Sequence, residues 1–423
     1  MRVLLATDSF PPGCGGSGWS TLELARGLTG LGHDVLVVQV RPGHSSGTRE
    51  RTYRGLRVIE YDAPAPRLPY VRNYFKNERL RARLGPWLAA LVRRERVDVV
   101  HGQHVLTGPP SIDAAAEAGV PSVCTVRDYW PVCYWSDLIH DPRADHLCPA
   151  CGTRPMTRCI RPRARAAWPL ALPLVPYMAA NLRRKRASLA ASDAVIAVST
   201  IIAADLRARA PELGATRIEM IPNPVDVEPL RAAAARTPRP LDAPYAVYSG
   251  KLATNKGVAH LVPALVEAGL DWPVVVVGDG PERARVEAEA RAAGLDVRFA
   301  GWLDRDEALA WVAHASLLVF PSHGPESLSR VLLEAGALGV PVAAMDTGGT
   351  RDIVQTGVTG LVSTTRGGLA ADVRRLASDA GLRRRLGAAA AQHVTTTFDA
   401  RAVVPKVASL YDELVAARAR GIR

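Results

Sequence analysis

Two glutamates, Glu326 and Glu334, lie in the stretch ASLLVFPSHGPESLSRVLLEAGALGVPVAAMDTGGTRDI at residues 315–353. Glu326 stands where a loop gives way to a helical pattern. The amides of Ser327, Leu328, Ser329 and Arg330 are expected to open that helix, with no intrahelical acceptor and at the positive end of its dipole. Such a junction suits an anion. A phosphate placed there would be repelled by Glu326, so this carboxylate reads as an acceptor for hydroxyl donors beside the phosphate. At about 100° per residue, Glu334 falls on the border of the apolar stripe, about 40° from Leu338, where a second carboxylate can accept from a diol. On these residues alone a plainer reading stands level with it: Glu326 compensates the dipole and Glu334 faces solvent.

Other residue types add to the chemistry. Lysine is scarce among the 53 basic residues, at positions 76, 185, 251, 256 and 406 only. Lys251 and Lys256 both follow a strand-like run, Tyr245–Ser249. An ammonium there can meet a phosphate as a compact point charge; the alternative is a pair of surface charges. Near the start, Gly13, Gly15 and Gly18 spell G-x-G-x-x-G in the loop FPPGCGGSG. As a dinucleotide fingerprint the match is weak. The loop begins too far beyond the strand end, and the next strand closes on Gln39 and Arg41, with no acid for a ribose. Cys133, Cys148, Cys151 and Cys159 fall in the order C-x14-C-x2-C-x7-C. Four thiolates with one CxxC suit a structural zinc; two disulfides, an iron–sulfur cluster or unpaired thiols are the other readings. A reducing cytosol disfavours disulfides. Cys14 and Cys124 read as a loop thiol and a core residue.

These groups need a scaffold to bring them together. Leu317–Phe320 is a short apolar run closed by Pro321, which suits a strand covered on both faces. From Ser327, apolar residues recur at Leu328, Val331, Leu332, Ala335 and Leu338, the spacing of an amphipathic helix. Gly339 and Pro341 stop it, and Val340–Met345 is the next strand. Further strands are predicted at Val3–Ala6, Val35–Val40, Leu56–Glu60, Val97–His101, Ser122–Val126, Ala194–Val198, Val274–Val277 and Val297–Ala300. Helical patterns alternate with them, from Ser20–Gly30 to Ala400–Arg420, so the sheets should be parallel. Ligands of such sheets bind beyond the carboxyl ends of the strands. That rule brings Asp8, His101, His104, Arg127 and Asp128 toward one crevice, with His101 read as a satisfied interior histidine. Arg127 cannot serve as a base at neutral pH, though it can bind hydroxyls or a phosphate.

A chain of 423 residues is too long for one ordinary core and suggests two domains. The net charge of +12 suits nucleic acid, an anionic membrane surface or phosphorylated substrates. Arg2 leads straight into a strand, no signal peptide is visible, and no apolar stretch reaches spanning length, so a cytoplasmic protein is expected. Residues Ala166–Ala180 are apolar but broken by Pro169, Pro173 and Pro176. Arg183, Arg184, Lys185 and Arg186 follow. Such a segment can lie peripherally on an anionic membrane face; a helix with one solvated basic side is the plainer alternative.

The run PSxxxE at 321–326, the EA at 334–335, GVPV at 339–342 and Gly348-Gly349 together resemble the donor-binding signature of retaining glycosyltransferases of the GT-B fold. The resemblance runs through nearly the whole chain: the Gly15-Gly16 loop, GHDVLVV after the first helix, and PNPVD at 222–226. It implies an α/β architecture of two Rossmann-like domains facing across a cleft. Residues 1–222 would form the acceptor-side domain with a Cys-rich insertion at 128–165, residues 223–399 the nucleotide-sugar domain, and 400–423 a helix returning to the first domain. It also implies a nucleotide-diphosphate sugar as donor and a hydroxyl on a glycan, lipid-linked or small-molecule acceptor. Gly15, Gly16, Lys251, Lys256, Ser327, Leu328, Ser329 and Glu334 would bind the donor, with Glu334 on the ribose and Glu326 at the transferred sugar. His104 and Arg127 would lie on the acceptor side. The family commonly has a His-Asp pair where Arg127-Asp128 stands, and usually Arg where Lys251 stands. Transfer with retention would need no protein nucleophile and no catalytic metal, the leaving phosphate taking the acceptor's proton. A nucleotide-sugar epimerase of the same fold would use the same donor site. A zinc-bearing nucleic-acid-binding protein is a more distant alternative, because the sequence lacks the interleaved aromatic and basic residues of such surfaces; no nucleic acid partner is expected.

Overall fold

The computed structural model describes residues 1–68, 71–140 and 147–421; residues 141–146 of the Cys-rich stretch lie outside the described residues. The first sheet takes its strands in the order β3-β4-β2-β1-β5-β6-β7-β8. They are β1 (Arg2–Thr7), β2 (Asp34–Pro42), β3 (Gly47–Tyr53), β4 (Leu56–Ala63), β5 (Val99–Gly102), β6 (Ser122–Val126), β7 (Ala194–Ala197) and β8 (Ile218–Met220). The second runs β11-β10-β9-β12-β13-β14, built from β9 (Ala246–Ser249), β10 (Val274–Val277), β11 (Val297–Gly301), β12 (Leu317–Phe320), β13 (Val342–Met345) and β14 (Leu361–Ser363). Among these described strands, every pairing is parallel except β3 with β4. The central strands are apolar throughout because helices cover both faces; β10 is four valines, all buried.

Chain order in both sheets reverses beside the first strand, β1 or β9. In open parallel sheets that is where the loops leave a crevice at the carboxyl ends. The two halves are joined through a shared core in which Val126 and Val198 pack in the same cluster as Val225, Val247 and Leu332. The last helix, Ala400–Ala419, crosses back to the first sheet, where Val403, Val404, Val407 and Tyr411 pack with Val3, Leu22 and Val99.

Three expectations about the elements need correction. The antiparallel strand β3 had no sequence signal, because five of its seven residues, GTRERTY, are polar or charged; it is held by cross-strand pairs such as Arg51 with Glu60 at 2.8 Å. The first helix starts at Gly16, a turn before Ser20. The helix after β12 starts at Arg330, not at Ser327. Its first expected turn is pulled open because residues 324–326 are tied to the turn after β13. The Gly349 amide donates to the Glu326 carbonyl at 2.8 Å, and the Thr347 hydroxyl to the Gly324 carbonyl at 2.6 Å. Gly348 makes this approach feasible: its φ is +51°, and a Cβ there would stand 1.8 Å from the Glu326 carbonyl oxygen.

Candidate active site

A cavity of about 340 Å³ lies between the carboxyl ends of the two sheets. Its first-domain wall is Gly16, Ser17 and Ser20 from the first helix, with Arg127 after β6 and Asn223 from the PNPVD segment. Facing them are Lys256, Ser322, Glu326 and the run Ser327–Arg330. Because Gly15 is the N-cap of the helix Gly16–Gly30, the free amides of that helix begin at the cavity wall. Those of Arg330–Ala337 begin on the opposite wall. Two helix starts therefore converge on one space, a favourable field for an anion.

Lys256 and Glu326 meet directly at 2.6 Å, and Glu326 also accepts from the Ser322 hydroxyl at 2.8 Å. Lys256 is held there by the turn after β9, because Gly257 (φ +65°) packs its α-carbon against the Pro321 carbonyl. The sequence reading had set Lys256 on a phosphate and Glu326 on hydroxyls; the structure joins the two as one ion pair on the cavity wall.

Arg127 is buried, with Nε donating to Asn223 Oδ1 at 2.7 Å and Nη1 to the Gln103 carbonyl at 3.0 Å. Among the described residues no carboxylate pairs with it, and burial pushes its pKa down to about 9. The neighbouring Asp128 turns away from the cavity and accepts from the Trp130 amide at 2.8 Å; burial raises its pKa.

Glu334 lies behind the wall. Its carboxylate accepts from Arg330 at 2.9 Å and from Arg305 at 3.4 Å. Both arginines also hold Glu23, which projects from the first helix. Arg305 lies 4.2 Å from the Trp19 ring centre. Burial works against the charge on Arg330, but Glu23 and Glu334 outweigh it and raise its pKa. The cluster thus ties the two halves of the chain together.

Several sequence-predicted site residues lie elsewhere. Lys251 is exposed and does not line the cavity. His104 is buried behind β1, its Nδ1 3.0 Å from the Thr7 hydroxyl. His101 sits between Tyr411, at 2.5 Å, and Thr125, at 2.6 Å, as a satisfied interior histidine. Burial holds both histidines well below the usual range. Asp8, at the end of β1, is pushed up to about 7 by burial, against the hydrogen bond it accepts from the Leu106 amide.

Wall residues such as Ser20, Tyr248 and Asn223, and Glu23 behind the wall, escaped the sequence reading. Ser20 and Tyr248 carry no signal of their own. Asn223 lay in the PNPVD segment, which carried the family resemblance but was not read as part of the site. Glu23 was the most legible, a charged residue between Leu22 and Leu24 on a helix face that must be buried.

The cysteines Cys133, Cys148, Cys151 and Cys159 line one small cavity. The Cys133 sulfur accepts from Cys151, which lowers its pKa. Cys148 donates to the Ala150 carbonyl at 3.0 Å, and Cys159 lies 3.0 Å from the Arg163 guanidinium. Among the described residues, no three His, Cys, Asp or Glu stand as a metal-holding group. The basic cluster 183–186 is also less free than its composition suggests: Arg184 pairs with Glu78 at 2.7 Å, and Arg186 donates to the Pro131 carbonyl at 2.7 Å. No helix among the described residues is long and apolar enough to cross a membrane.

Comparison with known proteins places this geometry. Residues 14–229 match the model of Glycosyltransferase Family 4, and residues 231–393 that of Glycosyl transferases group 1. A GDP-mannose-dependent alpha-mannosyltransferase of Mycolicibacterium smegmatis is 30% identical over 93% of this chain and 92% of its own length. A glycogen synthase of Mycobacterium tuberculosis is 29% identical over 97% of this chain and 94% of its own. Among solved structures, sucrose-phosphate synthase from Thermosynechococcus elongatus superposes with a TM-score of 0.72 at 22% identity, covering 98% of this chain and 99% of that one. Anabaena HepE in complex with UDP-glucose gives 0.64 at 18% identity, over 98% and 100%. The two family matches follow one another along the sequence, and relatives align from end to end; the chain belongs to the group 1 and family 4 glycosyltransferases and is a glycosyltransferase of the GT-B fold.

Proposed function

We propose that the protein moves a sugar from a nucleotide-diphosphate sugar to an acceptor hydroxyl with retention of anomeric configuration. The observation that carries this reading is the Lys256–Glu326 pair beside the start of the helix Arg330–Ala337, in a cavity whose other wall bears a second helix start. The diphosphate would lie against these amides and Lys256, releasing Glu326 to accept from sugar hydroxyls. Lys251, exposed at the edge, would add to the field from outside. Glu334, steadied by Arg330 and Arg305, would serve the ribose. The acceptor hydroxyl attacks C1 from the face the diphosphate leaves. A new C1–O bond forms as the C1–O(phosphate) bond breaks, the electron pair stays on the diphosphate, and the hydroxyl proton passes to a phosphate oxygen. The site's contribution is stabilisation of the charge developing on that leaving group. The names of the two mycobacterial relatives, a synthase of glycogen and a GDP-mannose-dependent transferase, support a nucleotide-sugar donor.

Two further parts of the reading concern the segments outside the cavity. The four thiols are proposed to hold a structural zinc, for which Cys148 and Cys159 must turn from their present partners; elemental analysis of reduced protein finding no metal would overturn this. Leu170, 85% exposed among Ala166, Ala167 and Arg165, is proposed as a peripheral contact with an anionic membrane carrying a lipid-linked acceptor. Failure to sediment with anionic vesicles would remove it.

The main reading is tested by thermal shift with a panel of nucleotide sugars. A donor at 100 times its dissociation constant stabilises by about 2.7 kcal/mol. Product analysis with an acceptor should then show net retention. Inversion, or isomerisation of the donor without acceptor, would overturn it.

A further inference from the structure

A second cavity, of about 410 Å³, opens wholly within the first half of the chain. Lys76, Glu78 and Arg81 form one side, Val105 to Asp113 another, and Asn181, Arg184 and Lys185 of the helix Leu174–Ala190 a third. It shares no lining residue with the first cavity.

Its charges are unevenly matched. Each of its three carboxylates is held by an arginine: Glu78 by Arg184 at 2.7 Å, Asp113 by Arg81 at 2.6 Å and Glu117 by Arg93 at 3.1 Å. Lys76 and Lys185 form no ion pair with any described residue, although two of the chain's five lysines meet here. Burial pushes the Lys185 amine down to about 8, against the fields of Asp128, Glu78 and Asp8. A partly desolvated cation of this kind gains from a direct anionic partner. Asn181 supplies a different group. It is 3% exposed and its Nδ2 donates to Glu78 at 2.9 Å, but its Oδ1 is buried without a partner. The wall therefore offers two ammonium donors and, once the Asn181 amide turns its buried Oδ1 toward the cavity, a carbonyl acceptor, which together match an anionic group and a hydroxyl. Arg127 lines the first cavity, and the next residue, Asp128, which lines neither, lies within electrostatic reach of Lys185 in the second.

We propose that this second cavity is the acceptor site and takes an anionic sugar, one bearing a phosphate or a carboxylate beside its free hydroxyls. This rests on the transfer reaction proposed above. The anion would bridge Lys76 and Lys185, Asn181 would accept from a hydroxyl, and the reacting hydroxyl would be directed past the Arg127-Asp128 segment toward the donor. The plainer role for Lys185, balancing Asp8 and Asp128, would leave Lys76 and the free Asn181 oxygen without a purpose.

The test is calorimetric titration of glucose 6-phosphate, glucuronate and neutral glucose into protein saturated with UDP or GDP, whichever it binds. At least one anionic sugar should bind tenfold or more tightly than glucose, and the stronger of the two identifies the anion. The double variant Lys76→Gln/Lys185→Gln should lose that preference while nucleotide affinity stays within about twofold. Lys76→Gln alone, at a partly exposed position, should weaken anion binding several-fold and guards against misfolding of the double variant. Glucose binding as well as both anions, or a preference that survives in both variants, would overturn the proposal. Protein that binds a nucleotide but shows no anion preference keeps the transfer reading and loses this one. Protein that binds neither nucleotide overturns the transfer reading and, with it, the acceptor role of this cavity, whatever its preference among the sugars.

Discussion

Glu326 and Glu334 sit on one short segment, yet they keep different company. Glu326 meets a single lysine whose side chain is 35% exposed, at the wall of a cavity. Glu334 is gripped by two arginines, 11% and 18% exposed, that also hold Glu23 from the other half of the chain. The Glu326 side chain is 11% exposed and that of Glu334 15%, so the difference lies in the partner: a lysine open to water can turn from the carboxylate to a ligand at small cost. A cluster withdrawn from water is different: removing one member leaves a charge buried without compensation. The first carboxylate is therefore in an exchangeable contact, and the second, further along the same segment in the helix Arg330–Ala337, belongs to a clamp between the halves.

The sharpest way to break this contrast is Arg330→Met. It leaves Glu23 and Glu334 to Arg305 alone and should cost about 3–5 kcal/mol in chemical denaturation. A loss below about 1 kcal/mol would mean that the cluster is effectively solvated. Glu326→Gln should leave stability nearly unchanged. Sugar transfer should fall roughly ten- to a hundredfold for about 1.5–3 kcal/mol of lost charged hydrogen bonding, with nucleotide-diphosphate affinity kept. Steady-state kinetics beside calorimetry would show both parts, and a matching fall in nucleotide affinity would contradict the assignment. Lys256→Ala should weaken the nucleotide diphosphate by about tenfold, the lower part of the same range; an unchanged dissociation constant would remove Lys256 from the phosphate. Glu334→Gln should have the smallest effect, a few-fold weakening of nucleotide and nucleotide sugar alike, because the amide oxygen can still accept from Arg330. If Glu326→Gln and Glu334→Gln changed both ligands equally, the distinction between the two carboxylates would be lost.

Much of this was legible beforehand, and what was not has physical reasons. Strands such as Val274–Val277 and Leu317–Phe320 are continuous apolar runs, so burial on both faces announces them. β3 is held by salt bridges on an edge, which leave no periodic apolar trace. The helix after β12 carries its apolar stripe back to Leu328, but the contacts of residues 324–326 with Thr347–Gly349 are long-range and override that local pattern. Lys256 and Glu326, which line the cavity, were legible as candidates because scarce or charged side chains stood at element ends. Their direct pairing was not, since it depends on how closely Gly257 packs against Pro321. The cluster of Glu23, Arg330 and Arg305 joins residues about 300 positions apart, a separation no local spacing reports.

The last helix has a consequence for the order in which this protein can be made. Ala400–Ala419 lies so tightly on the helix Gly16–Gly30 that a Cβ added at Gly27 would come 2.5 Å from a Val404 methyl, and Tyr411 seals His101 at the heart of the first sheet. A nascent chain leaves the ribosome from its amino end, and early domains generally fold as they emerge. Here the first sheet must wait, with Val3, Leu22 and Val99 short of their final cover, until the whole second half has been translated. Separately expressed halves cut near residue 223 should therefore yield a sticky first half, and appending residues 400–419 to it should restore its solubility.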